Sequence, residues 1–469
     1  MPKNSPSSTG GGSGVLSPRI DHPHRARRPL NPGAALSDAV ILSVGLLVIT
    51  VGIWWRHGGL HLLLQGSWAE QWESAGALTG LLATSIALIG ISLAARTHRF
   101  ERAFGLDRAL LWHRWLGEAA ALLLIAHIVT TVVAYTSYSG FFNAIKQLIG
   151  EEQYMAMATI GALGMLLITF LSLGFIRRRM AYETWYFIHL LVYAALILAF
   201  AHEIFLGSDL AFDPLARWFW IIVSVVVLAM VVISRWGRAV LSIARPLTVL
   251  SVTPLNDVAA AIELGGRNVA YLRPAAGQFA LLRPLTPKLF WQPHPYSISA
   301  APRVDRIRFT IKALGGASEL MTQLPIGTKV AVEGPYGTKI YEELRGSKLL
   351  LIAGGVGIAP VRSLMEDFDS SAEPVVIYRA RRQAEIVHLD ELEHLAETRN
   401  GRIIPVVGRT HELATGNPFD PHVMRSLVPD VAQRVVVVCG SQPMIHAAYK
   451  CLRECGVASA DIHFERIWW

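Results

Sequence analysis

Six long apolar runs, at about residues 38–55, 74–95, 111–135, 154–176, 185–206 and 214–236, fill the first half of the chain. A helix needs roughly 20 mostly apolar residues to cross a bilayer, so each run predicts one membrane span with lipid as its surroundings. Beyond Arg245-Pro246 the runs shorten. Short β-like segments alternate with turns from Leu247 to Lys339, which predicts a small antiparallel barrel. From Lys348 onward, strand, Gly-rich turn and helix follow one another, which predicts an α/β domain on a parallel sheet. The expected division is a disordered tail over residues 1–37, a six-helix membrane domain over 38–236, a β-barrel domain over 245–343 and an α/β domain over 346–469.

Composition agrees with a membrane half: 52% of residues are hydrophobic and the mean hydropathy is +0.39, which excludes an ordinary soluble enzyme. The net charge of +8 does not speak for nucleic acid, because the arginines cluster beside the apolar runs. Twelve positive residues lie in the tail and in the connections 96–108 and 177–183, against Arg56, Lys146 and Arg217 on the other side. By the positive-inside rule the tail is cytoplasmic, and an even number of spans returns the C-terminal half to the same side. The expected location is the plasma (inner) membrane, multi-pass, with both termini cytoplasmic and no cleaved signal peptide. Cys439, Cys451 and Cys455 all fall in the soluble half, where reduced thiols are expected.

Ionisable groups inside a bilayer are costly and mark function. Four histidines lie within the apolar runs, His113 and His127 in the third and His189 and His202 in the fifth. These two spans run in the same direction. Spacings of 14 and 13 residues separate the members of each pair by roughly 20 Å along its helix, so the four align in two layers, His113 with His189 and His127 with His202. A flat iron macrocycle with an imidazole on each side fills such a layer. Helical phase is uneven: at about 100° per residue a 14-residue step leaves two rings about 40° apart, and a 13-residue step about 140° apart. Span five must therefore distort, or its two haems must be offset sideways. Arg114 and Glu118, four residues apart beside His113, are read first as an ion pair and second as neighbours of haem propionates.

Three segments of the soluble half bear further chemistry. His294-Pro295-Tyr296-Ser297 puts an aromatic ring and a hydroxyl where a flavin can pack. Gly315, Gly316 and Ser318 open a helical stretch whose bare N–H groups can hold a pyrophosphate. In LLLIAGGVGIAP, Gly354, Gly355 and Gly357 allow a dinucleotide phosphate close to the backbone. Arg379, Arg381 and Arg382 end a second strand and can clasp a 2′-phosphate, which favours NADPH over NADH; a solvated basic turn is the alternative. Cys439 and Gly440 end another strand at the carboxyl edge, where a nicotinamide should lie, although Cys439 can also be a small core residue.

The paired histidines together with HPYSIS, GGASEL, GGVGIAP, CGSQPM and the terminal IHFERIWW resemble the NADPH oxidase/ferric reductase superfamily over about residues 38–469. The resemblance implies a ferric-reductase-like transmembrane domain fused to a ferredoxin–NADP reductase-like module, with NADPH as donor, FAD, and two b-type haems ligated by His113, His127, His189 and His202. It places His294, Ser297 and Cys439 at the flavin and nicotinamide. It also suggests Trp468 or Trp469 as a lid over the flavin, since Ile467 stands where relatives often have an aromatic residue. Electrons are then expected to pass from FAD to the inner and then the outer haem. The expected acceptor is oxygen, giving superoxide; the alternatives are a ferric chelate or a partner protein on the outer face. A haem-free anchor or proton conductor is the reading in which the four histidines only satisfy polar partners.

Overall fold

The computed structural model describes residues 32–469 apart from 96–97, 148, 150–153, 181, 338–343, 345, 414–415 and 467–469. Trp468 and Trp469, expected as the flavin lid, lie outside the described residues, as does most of the expected tail; helix already begins at Pro32. Two compact units divide at Arg238/Ala239.

Six helices are long and apolar enough to cross a membrane: Ser37–Arg56, Trp68–Ala94, Ala109–Ser139, Met155–Ser172, Thr184–Leu206 and Pro214–Ala244, here spans one to six. Their outer surface is apolar, with Leu42, Leu122, Ile197 and Ile233 all more than 60% exposed. Water would not tolerate such a surface, and lipid requires it. Local chemistry sets the ends. Ser67 and Glu70 form a capping box at the start of span two, and Asp213 accepts Leu215 N–H and Ala216 N–H at the start of span six. Asp213 also pairs with Arg56 and His57 at the end of span one. Between helices, small polar residues act as links, as in Thr50 Oγ1 with Ser85 Oγ at 2.8 Å. Gly161 brings span four against span five, where a Cβ would meet Ala195 O at 2.5 Å.

In the soluble unit, β1 (Leu247–Asn256), β2 (Ala259–Gly265), β3 (Phe279–Pro284), β4 (His294–Ser297), β5 (Arg306–Lys312) and β6 (Lys329–Tyr336) form an antiparallel sheet in the order β4-β3-β6-β1-β2-β5. Its inward residues, among them Val249, Ile262, Leu282 and Phe309, build one core. Then β7 (Leu349–Gly354), β8 (Val375–Ala380), β9 (Arg402–Val407), β10 (Val435–Gly440) and β11 (Ile462–Arg466) form a parallel sheet in the order β11-β10-β7-β8-β9. Strands buried on both faces read as continuous apolar runs, as LLLIA and VVVV do here, and two further cores cover them. The chain leaves β7 for β8 and β9 on one side and returns to β10 and β11 on the other. The crevice where strand order reverses therefore opens between β7 and β10.

Candidate functional site

On span three the two histidines share a face because 14 residues are nearly four turns. Both reach across to span two. His113 Nδ1 bonds Gly90 O at 2.8 Å and His127 Nδ1 bonds Gly76 O at 2.8 Å. A carbonyl only accepts, so Nδ1 carries the proton in each ring and Nε2 is left with its lone pair free. On span five His202 Nδ1 bonds Ala199 O of its own helix, and His189 Nδ1 faces Ser172 Oγ at 3.3 Å. That hydroxyl donates to Ile168 O and receives Trp185 Nε1–H, and Trp185 stacks on His189 with ring centroids 5.1 Å apart.

The four rings meet as two facing pairs. Centroids of His113 and His189 are 6.0 Å apart, and those of His127 and His202 are 6.2 Å apart. With a metal–nitrogen bond of about 2 Å and about 1.1 Å from ring nitrogen to centroid, an iron held between two imidazoles calls for about 6.2 Å. The donor set fits such an iron. Each layer offers two imidazoles, and among the described residues no cluster of three or more His, Cys, Asp or Glu could hold a metal ion. A metal bound between two such imidazoles would take its remaining ligands from a macrocycle of its own.

The uneven phase of span five has a visible device. The helix is interrupted at Leu191, whose N–H turns back to Ile188 O, and helix resumes over Val192–Leu206. A tight turn adds only about 20° per residue to the phase, so the side chains supply the rest. Accordingly the inner pair of rings crosses at 87° and the outer pair at 39°. Arg114 pairs with Glu118 at 2.9 Å, the first of its two readings.

Sequence reasoning passed over three kinds of residue here. Gly76 and Gly90 repeat the 14-residue spacing of their histidine partners, and Gly80 lies so close that a Cβ would stand 2.9 Å from His127 Nδ1. Ser172 orients His189. Glu203, beside His202, is a buried carboxyl against Thr84 and Trp220 whose Oε1 has no hydrogen-bond partner among the described residues. Its signal was present, since an intramembrane carboxylate is as notable as a histidine.

In the soluble unit, alternation along β4 sends Tyr296 into the barrel core at 5% exposure, while His294, Pro295 and Ser297 stay partly exposed. Gly315 and Gly316 have φ of +93° and +54° with open space where a Cβ would stand. Only glycine takes such backbone freely, so the N–H groups there are bare. Ser318 Oγ is turned to that same loop, donating to Gly315 O and accepting Leu314 N–H.

At the crevice between β7 and β10, Gly354 and Gly440 face each other beneath Met444, whose Sδ and Cε would lie 2.6 Å and 2.4 Å from the respective Cβ atoms. Their bareness thus serves packing. Gly355, at φ +55° with open space, is the glycine that leaves backbone free, and Gly357 is buried in the turn that begins the next helix. Cys439 is fully buried in the core, and burial, then the nearby Glu465 carboxyl, push its thiol pKa up. Glu465, on the adjacent strand, has Oε1 3.8 Å from where a Gly337 Cβ would stand, so the C-terminal strand meets the end of β6 there.

The three arginines separate. Arg379 is committed to Ala380 O, Val406 O and Gly408 O at 2.6–3.0 Å, which ties the ends of β8 and β9 together. Arg382 pairs with Glu385 at 3.0 Å. Arg381 is exposed.

Comparison with known proteins follows the same division. Residues 79–200 match a ferric reductase like transmembrane component, 248–340 an FAD-binding domain and 351–450 an oxidoreductase NAD-binding domain. A probable ferric reductase transmembrane component of Candida albicans is 26% identical over 294 residues, covering 61% of this chain and 41% of that protein. A glycine betaine monooxygenase reductase subunit of Pseudomonas aeruginosa is 27% identical over 182 residues, covering 36% of this chain and 50% of its own. The chain spans no more than half the length of these curated relatives. Among solved structures, the ferredoxin-NADP+ reductase of Plasmodium falciparum is similar with a TM-score of 0.39 at 16% identity, over 48% of this chain and 97% of that one.

Proposed function

This chain belongs to the NADPH oxidase/ferric reductase superfamily, and from that premise we propose that it carries electrons from cytosolic NADPH across the membrane to a one-electron acceptor on the outer face. The observation that carries the reading is the pair of histidine layers, each with ring centroids about 6 Å apart and each ring's Nδ1 held on a neighbouring oxygen. When bound, FAD splits a hydride into single electrons and two haems carry them through the bilayer. The chain's part is to hold and orient. His113 and His189 hold the inner iron, and His127 and His202 the outer. His294, Pro295 and Ser297 line the flavin edge, with Tyr296 packed behind them in the barrel core. Gly315 and Gly316 offer bare N–H groups to the pyrophosphate, with Gly355 and Arg381 toward the nucleotide phosphates and Gly440 at the nicotinamide.

His127 and His202 would occupy both protein-ligand positions of an outer iron, so the acceptor would be reduced without binding to the metal. The acceptor we favour is a ferric chelate, because curated relatives are named ferric or ferric/cupric reductases. Two ferric ions are then reduced for each NADPH oxidised, with one proton released. Oxygen, giving two superoxide ions instead, is the second reading. Reduction of a ferric chelate by purified protein that superoxide dismutase leaves unchanged supports the first acceptor; cytochrome c reduction abolished by the dismutase supports the second. The layers themselves are tested by His127→Ala. It should lose one of two haems and half of the reduced α-band while NADPH still bleaches the flavin, and retention of both haems would overturn the ligand assignment.

A further inference from the structure

The flavin strand and the nucleotide crevice are joined by one helix. Ile358–Asp367 begins at the glycine turn that follows β7. Three of its side chains hold three successive residues that come directly after Ser297 and Ile298. Arg362 donates to Ser299 O at 2.9 Å, Ser363 Oγ donates to Ala300 O at 3.1 Å, and Glu366 accepts Ala301 N–H at 2.9 Å. Few contacts between two domains are so regular, and none of them depends on a flexible surface chain: Arg362 is 7% exposed and Ser363 is fully buried.

The grip is reinforced from both sides. Arg308, on β5 of the barrel, reaches the same Ser299 carbonyl at 3.2 Å, and both guanidiniums converge on the Glu391 carboxylate of the α/β domain. The second carboxylate oxygen accepts from His388 Nδ1 at 2.8 Å. His388 Nε2 in turn receives the Thr310 hydroxyl of β5 at 2.8 Å. Hydrogen bonds in such low-dielectric surroundings are strengthened, so the network holds the strand after Ser297 against the helix, with Arg308 Nε and Ser299 Oγ its buried atoms left without a partner among the described residues.

We propose that the helix Ile358–Asp367 is a splint that sets the distance between bound nicotinamide and flavin, with Arg362 as its positioning residue. The proposal rests on the reading of this half as a nucleotide-to-flavin reductase. Hydride transfer, which oxidises the nicotinamide and reduces the flavin by two electrons, needs reacting atoms about 3–3.5 Å apart, and a misplacement of about 1 Å can cost about a hundredfold in rate. Arg362 touches neither cofactor site. It acts by fixing where the strand bearing Ser297 stands relative to the turn bearing Gly355.

The test is anaerobic stopped-flow bleaching of the flavin by NADPH in the purified, FAD-loaded full chain. Arg362→Gln should slow the rate at saturating NADPH by about tenfold or more, with the half-saturating NADPH concentration and the FAD content unchanged. Arg362→Lys should recover part of the rate only, since an ammonium cannot serve the Ser299 carbonyl together with the Glu391 carboxylate and the Glu366 carboxylate, which Arg362 meets at 2.6 Å, in the fixed fork of a guanidinium. A wild-type rate in FAD-loaded Arg362→Gln overturns the proposal, even when its melting temperature falls. Should that variant lose FAD, Ser363→Ala decides, because it removes a single hydroxyl: a slowed rate supports the splint and an unchanged rate overturns it. Absence of bleaching in the wild type by NADPH and by NADH overturns the functional reading, and the proposal with it.

Discussion

Gly80 gives the sharpest test of how the outer histidine is held. Replacing it by Ala puts a methyl group 2.9 Å from His127 Nδ1 and 3.0 Å from Cε1. Carbon contacts are comfortable only at about 3.5–4.0 Å, so the overlap is about half an ångström or more. The ring has no free direction in which to yield, because Nδ1 is bonded to Gly76 O at 2.8 Å. Overpacking of this kind costs about 1–3 kcal/mol, and a displaced ring also loses a hydrogen bond of about 1 kcal/mol. At about 1.4 kcal/mol per factor of ten, the sum of about 2–4 kcal/mol predicts a loss of outer-haem affinity of about thirtyfold to several hundredfold, its lower part in line with the usual effect of disturbing a ligand's support. Haem-to-flavin ratio and the reduced α-band of purified Gly80→Ala should show it, with the inner haem retained. Gly90→Ala is the matched control, since its methyl would lie 3.4 Å from Leu116 Cβ and 3.9 Å from His113 Nδ1, which is ordinary contact. Two full haems and an unaltered spectrum in Gly80→Ala would refute the reasoning.

Other outcomes follow from the same geometry. Arg379→Ala should leave the ratio of NADPH to NADH efficiency unchanged while weakening both, because that guanidinium serves the ends of β8 and β9, whereas Arg381→Ala should lower the ratio; steady-state kinetics with both nucleotides separates them. Ser172→Ala removes the acceptor for His189 Nδ1 and Trp185 Nε1, so a redox titration should show one midpoint potential moved and the other kept. The soluble module should melt at lower temperature as pH falls from 7 towards 4, followed by release of FAD fluorescence. Burial alone would raise Glu391, but the bonds from His388 and Arg308 and the Arg362 charge outweigh it and hold the carboxyl well below the usual range, so its stabilisation is complete above about pH 5 and fades as pH falls. His388 is lowered by burial, so the folded state resists its protonation below about pH 6.5 and the loss has the same sign. Glu391→Gln should flatten the lower part of that pH dependence, and a melting temperature independent of pH would contradict the assignment.

The spans, the two sheets and the facing of the histidines were legible because each rests on a periodic or contiguous signal: apolar length for the helices, apolar runs for buried strands, and 14 residues as nearly four turns. What stayed hidden depends on which neighbour the fold supplies. Arg379 looked like a phosphate clasp because a strand-end arginine has no way to announce that Val406 O and Gly408 O of the next strand will take it. Gly354 reads in the sequence as a phosphate glycine and Gly440 as a residue beside the nicotinamide, and neither reading announces that Met444 lies over both. Tyr296 and Ser297, adjacent in the motif, are parted by strand alternation into core and edge.

The histidine layers show where that boundary lies. Spans two and three are antiparallel, so residues that face each other keep a constant sum of residue numbers, and Gly76 with His127 and Gly90 with His113 do so. Two glycines at the histidines' own spacing on the preceding span were therefore a readable sign that the rings lean on bare backbone, and so of which nitrogen each ring leaves free. No comparable rule reaches span five. Its 13-residue step is absorbed by a changed hydrogen bond at Leu191 and by rings crossing at 87° in one layer and 39° in the other. Neither is a property of residue type, because a backbone turn between Ile188 and Val192 is compatible with any apolar side chain there. A spacing can thus be read for which residues meet, while the angle at which they meet is decided by the backbone between them.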